Sequence, residues 1–213
     1  MRLLWLGVAL LTAFFAGTWI FVNLTGYSGT QVEERTLRVI ASMAASSLDS
    51  SSIGQLTGTT GDYGSPAFVR TRAELKKIRQ AVPRARFVYL MGKRRDGEVI
   101  FLVDAEDAGS PDYSPPGQTY PEASPALMAV LSGGSPFVEE AYRDRWGEWV
   151  SGLAAVRNRP TGRVVAVLGI DIPAESWRGR IGSYRIYGVA IAGMIATLMA
   201  MVQFVHWPER RLF

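Results

Sequence analysis

Cysteine is absent and histidine occurs once, as His206. Those two gaps exclude zinc sites of the Cys/His type, disulfide frameworks, thiol catalysis and any Ser-His-Asp triad built on a histidine within a folded domain. Charge is sparse as well: of 213 residues 20% are charged and 48% apolar, and the net charge is +4. There is no phosphate-binding loop and no recognisable catalytic constellation. The chain is therefore expected not to be an enzyme and to hold no cofactor or metal. Mean hydropathy is +0.09, high for a soluble protein, and directs attention to segments that belong in lipid.

Two long apolar runs are present. Residues 3–22, LLWLGVALLTAFFAGTWIFV, carry no charge; about 20 such residues span a hydrocarbon core ~30 Å thick. A cleaved signal peptide would have an apolar region of about 7–15 residues before a small-x-small site. This run ends in Trp19, Ile20 and Phe21, so an uncleaved anchor is the better reading. Residues 186–205, IYGVAIAGMIATLMAMVQFV, contain one strongly polar residue, Gln203, with Tyr184, Tyr187 and Trp207 at the edges, where interfacial aromatics prefer to sit. A buried soluble helix, the rival reading, would be shorter. Arg2, Arg210 and Arg211 lie on the terminal sides, which predicts cytoplasmic termini, although Arg178, Arg180 and Arg185 on the other flank oppose that signal. The expected layout is a membrane helix over 1–23, an outer domain over 24–183, a second membrane helix over 184–207 and a short cytoplasmic tail over 208–213. His206 then reads as a membrane-interface residue. The outer segment is near neutral, with 19 basic and 18 acidic residues, which excludes a nucleic-acid surface. Small residues recur every four positions in both spans, Ala9, Ala13 and Gly17, then Gly188, Ala192, Ala196 and Ala200. Such rows let helix backbones approach closely; chance recurrence of alanine and glycine is the alternative.

Between the spans, residues 31–50 read as a helix continuing outward. Val32, Thr36, Val39 and Met43 form one stripe, and Leu37, Ile40, Ala44 and Leu48 a second, one for the domain and one for a partner. Residues 51–64 are rich in Ser, Gly and Thr and read as a loop. Ser65-Pro66 starts a helix that Pro83 ends. Residues 87–91 and 99–103 read as strands around an Asp96-Gly97 turn. Residues 105–124 form a long, proline-rich acidic loop, a length often used for binding or as a lid. Ser124-Pro125 starts a short helix that Gly133 can end. Strands follow over 137–143, 149–156 and 164–172. The last, VVAVLGIDI, is apolar on both faces and so is expected at the centre of the sheet. Residues 174–183 lead helically into the second span. The fold class is α+β: a five-stranded antiparallel sheet with helices on one side and a long N-terminal helix, flanked by two membrane helices.

This order, with Arg86-Phe87-Val88-Tyr89, Phe101-Leu102-Val103-Asp104-Ala105, Pro115-Pro116-Gly117, Tyr120, Asp144-Arg145-Trp146-Gly147, Trp149-Val150-Ser151 and TGRVVAVLGIDI, resembles the extracytoplasmic PAS-like sensor domains of bacterial receptors, also called Cache or PDC domains. The resemblance covers about residues 31–180 and is to the sensor regions of membrane-bound histidine kinases and diguanylate cyclases. It implies that one sheet face holds a ligand or solvent-filled pocket and that the last strand leads into the second span. It departs in two respects. Only residues 207–213 follow the second span, with no kinase histidine box or cyclase signature. The motif by which amino-acid-binding members grip an amine is not reproduced around Tyr142 to Trp149, so amino-acid recognition is not implied.

Asp171 interrupts an apolar strand on the face of Val165 and Val167. A buried carboxylate without partners costs several kcal/mol, so it must meet a ligand, a backbone donor, an arginine or water. Asp104 ends another strand with the same ambiguity. Tyr142, Trp146 and Trp149 cluster around Asp144 and Arg145; such rings form either a cage for a cationic ligand or packing beneath a hairpin. Tyr89 shares a strand face with Phe87. The acids Asp104, Glu106, Asp107 and Asp112 do not follow a calcium-loop spacing and read as a solvated acidic loop. The expected function is a membrane-anchored sensor-type domain of a bacterial inner membrane, its central domain periplasmic, binding a small ligand or partner protein without catalytic output. Expected partners are the membrane, other transmembrane helices or a second copy, and a separate signalling protein. The alternative is an accessory subunit of a respiratory or photosynthetic membrane complex.

Overall fold

The computed structural model describes the backbone of residues 2–206, and the side chains of Trp5 and of residues 12–201. The side chains of Arg2, Ala9, Gln203 and His206, and all of Trp207, Arg210, Arg211 and the 208–213 tail, lie outside the described residues. In chain order the elements are α1 (Arg2–Ser47), α2 (Ser50–Ile53), a 3-10 turn (Thr60–Asp62), α3 (Pro66–Ala81), β1 (Phe87–Lys93), β2 (Val99–Asp104), α4 (Pro125–Leu131), β3 (Phe137–Asp144), β4 (Gly147–Arg157), β5 (Val164–Pro173) and α5 (Ala174–His206). The chain divides into two compact units, Glu34–Trp177 and the pair Met1–Glu33 with Arg178–Phe213.

Local chemistry sets the element ends within Glu34–Trp177. Ser65 Oγ accepts from the Phe68 amide at 3.1 Å and Pro66 opens α3; Ser124 and Pro125 do the same for α4, with Ser124 Oγ 3.0 Å from the Leu127 amide. These oxygens satisfy amides that the first helical turn leaves unpaired. Gly97 takes φ +96° in the β1–β2 turn, a conformation that only glycine adopts without strain. The stretch 51–64 is not a featureless loop. Asp49 caps α2, accepting from the Ser51 amide and from the Ser51 and Ser52 hydroxyls, and these hydrogen bonds hold its carboxyl well below the usual carboxylate range. Asp62 gathers the amides of Thr57 and Gly58 around the 3-10 turn. The Ser/Thr/Asp composition supplies caps and turn acceptors rather than disorder.

The sheet is wholly antiparallel, in the order β2-β1-β5-β4-β3. β5 is central, as its two apolar faces require. One face is covered by α1 and α3. Leu37 and Ala41 of α1 sit against Gly152 of β4, where a Cβ would come 2.8 Å from Leu37 Cγ. Gly152→Ala is expected to lower stability by about 1–3 kcal/mol through overpacking, read as a lower thermal midpoint by circular dichroism; an unchanged midpoint would mean that α1 does not bear on β4.

The opposite face is also covered, which corrects the expectation of helices on one side only. Leu127 and Val130 of α4 join a buried cluster with Phe87, Tyr89, Phe101, Trp149, Leu153 and Val167. The reason is the long loop. Residues 117–120 run along the outer edge of β2, with Phe101 N to Gln118 O at 2.9 Å and Tyr120 N to Val99 O at 2.8 Å. The loop thereby blunts an exposed strand edge and carries α4 across to this face. A second correction concerns Val165. The β4–β5 register shifts at Val156/Arg157, and Val165 lies with Ile100 and Leu102, while Val167 stays on the Asp171 face.

In the other unit, α1 and α5 meet through small residues and one buried acid. Glu33 is 3% exposed and accepts from Arg180 Nε at 3.1 Å and from the Tyr184 hydroxyl at 3.2 Å. Gly29 lies against the Tyr184 ring, Gly26 against Arg185, and Gly188 against Thr25. Ala13, Gly17 and Ala192 line a cleft; Ala196 is half-buried and Ala200 exposed. Among the described residues one helical stretch, Ala174–Met201, is long and apolar enough to cross a membrane. The first expected span falls partly on side chains outside the described set.

Candidate functional site

Strand alternation and register assemble a cavity on the α4 side of the sheet. Phe87 pairs with Asp171, Tyr89 with Gly169 and Ser151 with Asp171, so these side chains share one face. Gly169 matters because it has no side chain. The Tyr89 ring lies across it, closer than any Cβ would allow, and its hydroxyl reaches Asp171 Oδ1 at 3.0 Å. The cavity is lined by Phe87, Tyr89, Met91, Phe101, Asp104 and Asp171 from the sheet, Asp144 and Trp146 from the β3–β4 hairpin, and Asp112, Ser114 and Tyr120 from the long loop.

Burial governs the electrostatics. Asp171 is 4% exposed and its carboxyl is pushed up to about 7 by loss of solvent; hydrogen bonds from Ser151 and Tyr89 oppose this, and the charges of Asp144 and Glu139 reinforce it. Asp104 is pushed up to about 6, also by burial, against hydrogen bonds from the Glu106 and Ser114 amides. The Tyr89 and Tyr120 phenols are raised, again mainly by burial, and stay neutral in the physiological range. Asp144 organises the hairpin end. Its Oδ1 accepts from the Trp146 and Gly147 amides and from Trp149 Nε1, at 2.9, 3.1 and 3.0 Å, and its Oδ2 from the Tyr120 hydroxyl at 3.2 Å.

The aromatic walls are in mutual contact. Phe101 is edge-on to Tyr89, Tyr120 and Trp146, with centroids 5.4–5.7 Å apart, and Trp146 stacks on Tyr120 at 6.2 Å. Packed this way, the walls leave ≈ 20 Å³, room for about one water. A larger guest requires these rings to move.

An ion network ties the loop over the cavity. Glu106 Oε2 receives Arg86 at 2.7 Å and Arg79 at 2.8 Å, Asp112 receives Arg86 at 2.5 Å, and Asp107 receives Lys76 at 2.6 Å. Glu106 and Asp104 are thus buried, Glu106 between two arginines and Asp104 on loop amides, and Asp112 is half-buried against Arg86, which corrects the expectation of a solvated loop for these three; Asp107 pairs with Lys76 but stays exposed. Among the described residues no group of three acidic or histidine side chains is placed to hold a metal ion. Arg86 also lies over the Phe87 ring at 4.3 Å. Arg86→Ala is expected to loosen this latch by about 1 kcal/mol, read as faster limited proteolysis within residues 105–124; cleavage at the parent rate would show that the loop is held by other contacts.

Of the residues singled out from the sequence, Asp171, Tyr89, Trp146 and Asp104 line the cavity. Trp149 stands beside it, edge-on to Phe87 at 5.0 Å. Tyr142 reaches it only through the Tyr120 hydroxyl, at 2.7 Å. Asp144, Tyr120, Phe101, Asp112 and Ser114 were not singled out as ligand contacts. An aspartate opening a tight hairpin is a legible signal for Asp144; Tyr120 is legible only as part of the family resemblance, not as a cavity residue.

No family model and no curated protein matches the sequence. Solved structures do. The ligand-binding domain of the Campylobacter jejuni chemoreceptor Tlp3 in complex with L-valine is 18% identical with a TM-score of 0.53, over 82% of this chain and 65% of that one. The sensory domain of the same chemoreceptor gives 17% and 0.53, over 81% and 66%. This chain spans about two thirds of the length of these two domains. At this identity the likeness is one of fold: the chain has the α+β fold of the extracytoplasmic PAS-like, or Cache, sensory domains.

Proposed function

We propose that this chain is a membrane-anchored sensor module of a bacterial inner membrane, spanning it twice, with its termini cytoplasmic and residues 24–183 outside. The unit Glu34–Trp177 binds a small ligand or partner protein in the cavity above β1 and β5. One observation carries this reading. Asp171, a buried carboxylate in the central strand, faces the cavity two residues before the strand ends, and β5 runs directly into α5 at Ala174. A guest that moves Tyr89 or Trp149, whose partner in register is Pro173, bears on the residues that start α5. The guest acts by favouring one of two sheet–helix arrangements, in proportion to its differential affinity for them.

A second reading is favoured by the surface of α1. Val32, Val39 and Met43 are 52%, 47% and 69% exposed and lie on one stripe, which suits packing against another helix in a homodimer or a larger membrane complex. Two experiments decide. Because the natural chain has no cysteine, single cysteines at Ser51 and at Arg211 report sidedness with an impermeant maleimide; labelling of Ser51→Cys alone in intact spheroplasts supports the topology, and the reverse removes it. A ligand screen by thermal shift on the purified chain is expected to give at least one stabilising small molecule. Complete failure, with a stoichiometric partner co-purifying in gentle detergent, would favour the subunit reading.

A further inference from the structure

The cavity has a one-sided chemistry. Its walls are aromatic, and its polar groups are the carboxylates of Asp104, Asp112, Asp144 and Asp171, one serine and the hydroxyls of Tyr89 and Tyr120, which are already donated to Asp171 and Asp144. Among the described residues no arginine, lysine or histidine lines it. The guanidiniums at its rim already have carboxylate partners. Arg86 is held by Glu106 and Asp112, and Arg145 lies over Trp146 at 5.0 Å while bound to Glu122 at 2.6 Å. A carboxylate entering this space would meet four others, and the one guanidinium paired with a lining carboxylate, that of Arg86, is already shared between Asp112 and Glu106. A cation would meet opposite charge and the negative faces of aromatic rings together.

The four carboxylates are unequally compensated. Asp144 accepts from three N–H groups and a phenol. Asp104 accepts from two backbone amides, and Asp112 has Arg86. Among the described residues Asp171 accepts from two hydroxyls, those of Tyr89 and Ser151, and it is the one enclosed in the sheet centre.

Resting on the sensor reading above, we propose that this cavity binds an organic cation lacking a carboxylate, an alkylammonium or quaternary ammonium group, with Asp171 as its counter-ion and Tyr89, Phe101, Tyr120 and Trp146 as its cage. The tetrahedral head replaces the contact that the rings now make among themselves. Trp146, on the two-residue hairpin tip, has the shortest lever to move, and its displacement from Tyr120 makes room for the substituents. A zwitterionic amino acid is disfavoured here because no arginine, lysine or histidine among the residues lining the cavity pairs with its carboxylate.

Cation and proton compete for Asp171. The groups around it are Tyr89 on β1 and Tyr120 in the loop, both held neutral; Asp104 on β2, which titrates near 6; and Asp144 and Glu139 on β3, whose negative charges act on it. β4 contributes the non-titrating Ser151. With the Asp171 proton retained to about 7, affinity rises about tenfold between pH 6 and pH 8.

The test is titration calorimetry of the full chain in detergent micelles with tetramethylammonium, ethylammonium, L-valine and succinate, at pH 6 and pH 8. At least one of the two cations is expected to bind, about tenfold more tightly at the higher pH, with no binding of valine or succinate. Asp171→Asn, its folding verified by its melting temperature, is expected to lose at least tenfold in affinity together with the pH dependence. Binding of valine or succinate without either cation would overturn the cation assignment and leave the sensor reading standing. Cation binding unchanged in Asp171→Asn would place the site elsewhere and overturn it too. Absence of binding by all four overturns the inference; the sensor reading falls only if the wider thermal-shift screen is also blank.

Discussion

Asp171→Asn is expected to stabilise the protein at pH 8 and to leave it nearly unchanged at pH 4. The folded chain holds the Asp171 proton to about 7, whereas the unfolded chain releases it near the model-compound value of 3.8. Between those values the folded state binds more protons than the unfolded one, so stability is greatest below the lower value and falls as pH rises through the window. A difference of about three pH units is worth on the order of 4 kcal/mol. Asparagine keeps an oxygen to accept from Tyr89 and Ser151 and cannot ionise, so it removes this decline. Asp104, pushed up to about 6 by burial, adds a smaller decline of the same sign that survives in the variant. Thermal unfolding of parent and variant at pH 4, 6 and 8 is the measurement. Parallel curves for the two proteins would show that Asp171 is ionised in the folded chain at all three values.

The second large effect is expected at Asp144, where alanine should cost about 3 kcal/mol. The loss comes from stranded donors rather than from a missing charge. The Trp146 and Gly147 amides, the Trp149 indole and the Tyr120 hydroxyl all point at one carboxylate. Trp149 is 8% exposed, so its indole N–H would have little water to turn to, whereas the Tyr120 hydroxyl keeps the Tyr142 hydroxyl at 2.7 Å. Each buried donor left alone costs about 1–3 kcal/mol, and relaxation of the hairpin tip recovers part. Tyr120→Phe, which removes one of the four, should cost about 1 kcal/mol. Chemical denaturation separates the cases: equal losses for Asp144→Ala and Tyr120→Phe would contradict the hub role.

Both residues belong to a cavity that is closed by its own aromatic contacts. Recognition at such a site requires the rings to part, so affinity includes the cost of breaking their stacking and depends on how readily the hairpin tip moves. In the proposed sensor, the position of the cavity near the end of the central strand would put this motion close to where β5 becomes α5.

Local signals in the sequence were enough for most elements. Ser65-Pro66 and Ser124-Pro125 announce helices because a hydroxyl and a proline suit the first turn whatever lies around them. Asp96-Gly97 announces a turn because glycine tolerates positive φ. VVAVLGIDI announces a central strand because only a strand with both faces covered is apolar throughout. The cavity itself was partly legible: a carboxylate inside that strand had to have partners, and Asp171, Tyr89 and Trp146 do line one space.

What remained hidden depends on pairings between distant residues. Tyr89 and Asp171 are 82 positions apart, and no periodicity reports that Gly169 is small so that the Tyr89 ring can lie across it. The course of residues 105–124 follows from Arg79 on α3 and Arg86 just before β1, which claim its acids, and from the free edge of β2; composition alone reads the same residues as solvated. The opening absences had excluded zinc, disulfides and thiol chemistry from the sequence alone, because those require specific atoms that the chain lacks. Which carboxylate sits without a cation, and in what surroundings, only the tertiary structure decides. Burial and counter-charge are properties of the space that the folded chain encloses, not of any segment of it.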